Sequence, residues 1–309
     1  MALTNVQQTY GDVSRREDVV LNAVEILTAT EQQISNIIGK SVAIDTVHSY
    51  LTDTLSTPAS IAVEQASDYT NTARTAPSRL TNIVQEMAVP FRVSKLQDSV
   101  QHYHGVNELE RQTQKALKEF GNGLEFDLVR STLVSGVSGT TAKMAGIISA
   151  ISKSTNTTAH TSGTAFTATI LDGLMQDNWT NSNGEVATDL YVGPVMRRVI
   201  DNFAQKTNVV VNAPGISSIV RTVSSYDTSM GTLQVHKHRY VDIAGTDLTC
   251  RVLGINPSKL KMAWLSKPIV QNDLAKSGNY EPRAIYGSGT LEVNNQDSNF
   301  FASGFLRSA

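Results

Sequence analysis

The chain has 309 residues, 40% of them hydrophobic, which is enough for one large or two ordinary domains with real cores. Only 17% are charged, below the ~25% usual in globular proteins, and Thr, Ser and Asn fill the difference. That surface desolvates at low cost in subunit contacts, while a net charge of −2 excludes a binder that works by neutralising phosphates.

Residues 1–14 are polar and read as extended. From Arg15, apolar residues at Val19, Val20, Ala23, Val24, Leu27, Ile34, Ile37 and Ile38 follow helical spacing, which Gly39 stops. Ser41 to Leu55 reads as one strand, ended by Ser56-Thr-Pro58. Residues 60–77 are too polar to build a core, and 78–95 return as a β-like run. Two arms joined by a polar tip predict a long hairpin, which is only marginally stable in water unless it lies on something.

Residues 105–130 form the strongest helical pattern. Val106, Leu109, Thr113, Ala116, Leu117, Phe120, Leu124 and Leu128 make one stripe, and Asn107 followed by Glu110 is an N-terminal capping pattern. Gly121 and Gly123 inside it predict close backbone contact or a kink. Residues 135–165 read as loops around a helix from Ala142 to Ile151. Helices are expected at Phe166–Trp179 and Val195–Gln205, with a strand at 190–194 between them, an α/β arrangement. Strands follow at 233–243, 248–254, 259–265, 284–293 and 299–306.

The lone Cys250 excludes an intrachain disulfide framework and four-cysteine metal sites, and alternation makes it a small strand residue. The first residues lack the basic and apolar regions of a secretory signal, and no apolar run approaches the ~18–20 residues that span a bilayer. A soluble protein made in the cytoplasm, without membrane contact, is expected. Two His-x-His pairs, His102/His104 and His236/His238, place imidazoles on one strand face, as zinc requires, but no carboxylate stands at a telling spacing. Asp172, Asp177, Glu185 and Asp189 carry no acid–base signature. Gly287-Ser-Gly289 lacks the residues of a phosphate loop and reads as a strand bend. No catalytic residue, metal or cofactor is expected.

Three segments carry a resemblance: Arg15–Ala23, Ser78–Ser94 and Glu108–Arg130. Within them Arg79, Asn82 and Gln85 precede Val93-Ser94, and Gln112 or Gln114, Lys115 and Glu119 precede Leu124-Glu125. The C-terminal Tyr286–Asn295 looks like a last core strand. This order resembles the major capsid proteins of tailed bacteriophages, which share the α+β Hong Kong 97-type fold. The resemblance implies an N-terminal arm (1–41), an extended β-hairpin loop over an adjacent subunit (42–95) and a peripheral domain with a long spine helix (96–139). It further implies an α/β axial domain (140–232) and peripheral-domain return strands with the C-terminus (233–309).

By the same resemblance the chain self-assembles through hexamers and pentamers into an icosahedral head around double-stranded DNA, touched weakly and without sequence specificity. Portal, scaffolding and decoration proteins are the implied partners, and the virion, assembled in the host cytoplasm, is the implied location. Arg74, Arg79, Asn82 and Arg92 of the loop are the expected intersubunit contacts, with Arg15 and Arg16 of the arm. Residues 1–60 offer a complement, with seven Asp/Glu against three Lys/Arg. Residues 41–94 contain no Lys, so the loop-lysine isopeptide crosslink of the family's prototype is not expected. Three alternatives compete: a nanocompartment shell of the same fold, a metal enzyme built on the His-x-His pairs, and a surface adhesin.

Overall fold

A computed structural model describes residues 32–56, 58–66, 68, 74–99, 107–151, 156–207, 224–242 and 249–306. Arg15, Arg16, His102, His104 and most of the expected arm lie outside the described residues.

The single strand expected over 41–55 is two strands that serve different partners. Strand β1 (Gly39–Val42) runs parallel to β10 (Leu260–Gln271), and β2 (Val47–Thr52) pairs antiparallel with β3 (Ser78–Ile83). The return run is likewise divided at Val84 into β3 and β4 (Gln85–Ser94). Apolar alternation is similar on both sides of each break, so the sequence hides a change that the pairing partners impose. A short helix, α1 (Gln33–Ile37), precedes β1, and another, α2 (Lys95–Ser99), follows β4.

Helix α3 (Glu108–Arg130) realises the strongest periodic stretch. Asn107 caps it, its Oδ1 accepting from the Leu109 amide at 2.9 Å. Leu109, Ala116, Phe120 and Leu128 are buried, whereas Leu117 is half exposed. The helix is continuous through its glycines, and a Cβ at Gly123 would meet nothing within 4 Å. Among the described residues no close contact accounts for that glycine.

The sheets divide the C-terminal half. One has the order β1-β10-β11-β4, with β11 spanning Tyr280–Val293. A six-stranded sheet has the order β5-β12-β9-β6-β8-β7, built from β5 (Thr157–Thr164), β6 (Asp189–Val192), β7 (Ser225–Thr228), β8 (Gly231–Lys237), β9 (Thr249–Ile255) and β12 (Phe300–Leu306). Of the strands expected to return to the peripheral sheet, only β10 and β11 join β4. Strands β8, β9 and β12 belong with the strands of the expected axial region.

Helix α4 is shorter than expected (Ile147–Ile151), and α5 (Ala168–Asn181) and α6 (Pro194–Thr207) match the two predicted helices. Pro194 fits the first helical turn, where no amide is needed. Strand β6, α6 and β8 make a parallel crossover, with Asp189–Val192 opposite Gln234–Lys237. The core over this sheet gathers Leu171, Met175, Met196, Ile200, Leu233, Val252, Phe300 and Phe305. Cys250 is buried there as a small strand residue. The bend expected at Gly287-Ser-Gly289 lies inside the continuous β11, where a Cβ on Gly289 would stand 2.9 Å from the Ala263 carbonyl oxygen of β10.

By compactness the chain forms two units, one gathering residues 88–121 with 269–286, the other 31–87, 122–268 and 287–309. In the first, the Lys95 amide donates to the Asn279 carbonyl at 3.2 Å, and Lys276 pairs with Glu281 at 2.5 Å.

Candidate intersubunit surface

The β2–β3 ribbon and the connection beyond it are the natural candidate, because they combine a fixed base with a bare outer part. Asn82 is 4% exposed. Its Nδ2 donates to the carbonyls of Leu291 (2.8 Å) and Ala145 (3.2 Å), and its Oδ1 accepts from the Ala145 amide (2.9 Å). Three residues on, Gln85 Nε2 donates to Asp127 Oδ2 at 2.6 Å while its Oε1 accepts from the Met144 amide at 3.2 Å. The break at Val84 separates the two, yet both amides reach the same 144–145 segment.

The other leg is tied as firmly. Ser41 Oγ donates to Glu292 Oε1 at 2.8 Å, and His48 Nε2 lies 2.5 Å from the same oxygen. Tyr50 Oη accepts from the Val293 amide at 3.3 Å. Burial pushes the Tyr50 phenol above its ordinary range, and the Glu292 charge adds to this against the Val293 hydrogen bond. Buried polar groups so fully used fix one geometry.

Beyond the base the loop is bare. Leu55 is 95% exposed and Ile61 94%, and Leu51 and Val63 are also largely uncovered; at the base itself Val42 of β1 and Ile44 are exposed too. Scattered apolar residues are ordinary on a surface, but a run of them along one projecting segment marks a binding face. Arg74 and Arg79 are exposed on this segment, with Arg79 Nη2 donating to Ser49 Oγ at 2.8 Å across the ribbon. Arg92 is exposed on β4, its guanidinium 5.5 Å from the centre of the Tyr280 ring. Arg74 and Arg79 thus lie on the loop, and Arg92 lies on β4. Asn82 lies in the interior, its amide spent on backbone of its own subunit, so it is not placed to reach a neighbour.

A second buried arrangement escaped the sequence. Glu125 of α3 is fully buried, accepting from the amides of Ile34 (2.7 Å) and Ser35 (2.9 Å) of α1. His238 Nε2 lies 3.0 Å from its Oε1. The Tyr240 amide donates to His238 Nδ1 at 3.2 Å, so Nδ1 carries a lone pair and Nε2 carries the proton given to Glu125. Burial raises the Glu125 pKa, but the hydrogen bonds from His238, Ile34 and Ser35 outweigh it and hold the group below its ordinary value. The sequence signal was a carboxylate set against the apolar stripe, between Leu124 and Leu128.

The partner histidine, His236, meets Asp189 at 3.0 Å, and the Tyr191 ring packs against both imidazoles at 5.1 and 5.7 Å. Each imidazole is thus committed to its own carboxylate. Among the described residues no three His, Cys, Asp or Glu gather as a metal site, and no helix is long and apolar enough to cross a membrane.

The model of one protein family, the SU10 major capsid protein, matches residues 3–305. The chain belongs to that family. As an SU10-type major capsid protein it is a structural subunit of a bacteriophage icosahedral shell and not an enzyme, and it associates with its own copies in that shell. Its fold is that of Hong Kong 97-like capsids. It resembles a protein of Gordonia phage Cozz at 16% identity and TM-score 0.58, over 90% of this chain and 88% of the other. The capsid of a native GTA particle matches at 12% identity and TM-score 0.64, over 96% and 99%. The SrpI encapsulin of Synechococcus elongatus PCC 7942 matches at 9% and 0.60, over 99% and 98%. At these identities the likeness is one of fold. No curated protein sequence matches.

Proposed function

We propose that this major capsid protein builds the head of a tailed double-stranded DNA phage through hexamers and pentamers, with residues 42–95 lying over an adjacent subunit. The exposed apolar side chains of Leu55, Ile61 and Val63, beyond a base hydrogen-bonded through His48, Tyr50 and Asn82, support this reading. Such a segment is stabilised only when a neighbour covers it, and contacts repeated around an axis close into rings. Residues 1–41 serve as the arm, 96–139 as the peripheral domain with α3 as its spine, 140–232 as the axial domain and 233–309 as the return segment. The sheet partition favours assigning β8, β9 and β12 to the axial side. Arg74 and Arg79 reach acidic groups on the neighbour from the loop, and Arg92, Arg15 and Arg16 make further contacts.

Assembly takes place in the host cytoplasm, with portal, scaffolding and decoration proteins as partners. The near-neutral chain lines the shell without gripping DNA, since each phosphate contact adds affinity. The encapsulin reading shares the fold, and the family match favours the phage head over it.

The test is electron microscopy and sedimentation of the purified protein beside a variant lacking residues 60–77. A minimal shell of about 60 copies weighs roughly 2 MDa. Wild-type shells, and monomers or capsomers alone from the deletion, are expected. Normal particles from the deletion overturn the account of the loop.

A further inference from the structure

The turn end of the β10–β11 hairpin is cationic. Lys276 meets Glu281 at 2.5 Å. That hydrogen bond holds the Glu281 carboxyl below its ordinary value, and the charges of Lys276, Lys95 and Arg283 add to it. Arg92 stands over the adjacent Tyr280 ring. The exposed acid of the loop 272–279 is Asp273, while Asp98 of α2 has its Oδ1 buried. Cations therefore lead on this surface. With them, Leu96 of α2 and Ile269 of β10 are exposed apolar side chains.

The loop is also set in shape. Ser277 Oγ and Tyr280 Oη share a hydrogen bond at 2.7 Å, and the Tyr280 amide donates to the Gly278 carbonyl at 2.9 Å. The Lys95 amide ties α2 to Asn279. A surface ordered in advance gives up little entropy when it is covered. Cations beside apolar groups suit an acidic, apolar chain better than a nucleic acid, whose phosphates gain nothing from Leu96 or Ile269.

The same protein holds such a chain. From Asp53 to Asp68 the sequence has three carboxylates and no Lys or Arg. Asp53, Leu55, Ile61, Val63, Glu64 and Asp68 are all exposed, so no described part of their own subunit covers them. We propose that Lys95, Leu96, Ile269, Lys276 and Arg283 form the seat for the segment of a second copy that carries Leu55, Ile61, Val63, Glu64 and Asp68. This rests on the reading that residues 42–95 lie over an adjacent subunit, and it names where they land. Apolar side chains hold the contact, while opposite charges choose the partner and its direction.

The experiment assembles the full chain from mixed ordinary and isotopically heavy copies, then adds a water-soluble carbodiimide. The reagent activates a Glu or Asp carboxyl, Lys Nζ displaces it, and one amide bond forms as the reagent takes up the water lost. Mass spectrometry is expected to find Lys95 or Lys276 of one copy joined to Glu64 or Asp68 of another. Charge exchange reads the same contact. Lys95→Glu with Arg283→Glu, and separately Glu64→Lys with Asp68→Lys, should each lower shell yield about tenfold in sedimentation, since like charges then face each other. All four changes together should bring the yield back to within about twofold of wild type. The side chains lie at the surface, so melting temperatures should hold. Should a pair fail to fold, the crosslink in the wild type decides alone. Wild-type shells without heavy–light crosslinks at these positions, or a combined variant as poor as either pair, overturn the seat while the shell reading stands. Unchanged shell yield with loss of double-stranded DNA binding in the Lys95→Glu pair overturns it in favour of a nucleic-acid contact. Crosslinks at these positions in capsomers that never close keep the seat and sink the shell reading.

Discussion

Single residues at the loop base and on α3 pull stability in opposite directions. Asn82→Ala strands the Ala145 amide and two carbonyls in the interior, and should cost about 3 kcal/mol in urea unfolding. Gly123→Ala fills open space in a regular helix and should add about 0.5–1 kcal/mol, unless a neighbouring copy needs that space, in which case shells suffer while the free subunit gains. Glu125 is held below its ordinary 4.5, so the folded subunit binds this proton less tightly than the unfolded chain. Its contribution is complete above that value and is lost as pH falls through the lower folded one. Asp127 is raised by burial, against the Gln85 hydrogen bond, so it weakens the fold as pH rises from 3.8 through its folded value. Asp127 acts alike in both proteins, so between about pH 6 and about 3.5 the urea midpoint of the wild type should lose ground to that of Glu125→Gln.

At the scale of elements, the ribbon and its continuation should separate folding from assembly. Leu55 and Ile61 contact almost nothing in the subunit, so Ile61→Asp should leave unfolding within about 0.5 kcal/mol of wild type. The same change should sharply reduce shells seen by sedimentation, and an unaltered yield would remove this residue from the interface. Legibility varied with how local the cause was. Helix α3 could be read because its stripe and the Asn107 cap lie within one stretch. Strand β5 could not, because Thr157-Thr-Ala-His-Thr-Ser-Gly-Thr164 carries no apolar alternation; it is a strand through its parallel pairing with β12. The split of 41–55 was hidden for the same reason. Asn82, Gln85 and Glu125 were visible as residues of a familiar order, but their burial depends on segments 42 to 209 positions away.

For the whole molecule, the low charge read at the outset and the bare apolar loop point the same way. An interface made mainly of uncovered Leu, Ile and Val is little affected by screening, whereas one carried by Arg74 and Arg79 weakens as salt rises. Particles moved from about 0.1 to 1 M salt should therefore persist, and dissociation would transfer the weight to the arginines. The same bareness sets a time limit. In the free subunit Leu55 and Ile61 face water, and any apolar surface they meet competes to cover them. Useful assembly is then a race between ordered encounter and clumping, both of which quicken with concentration. The cell has to supply these subunits no faster than growing shells remove them.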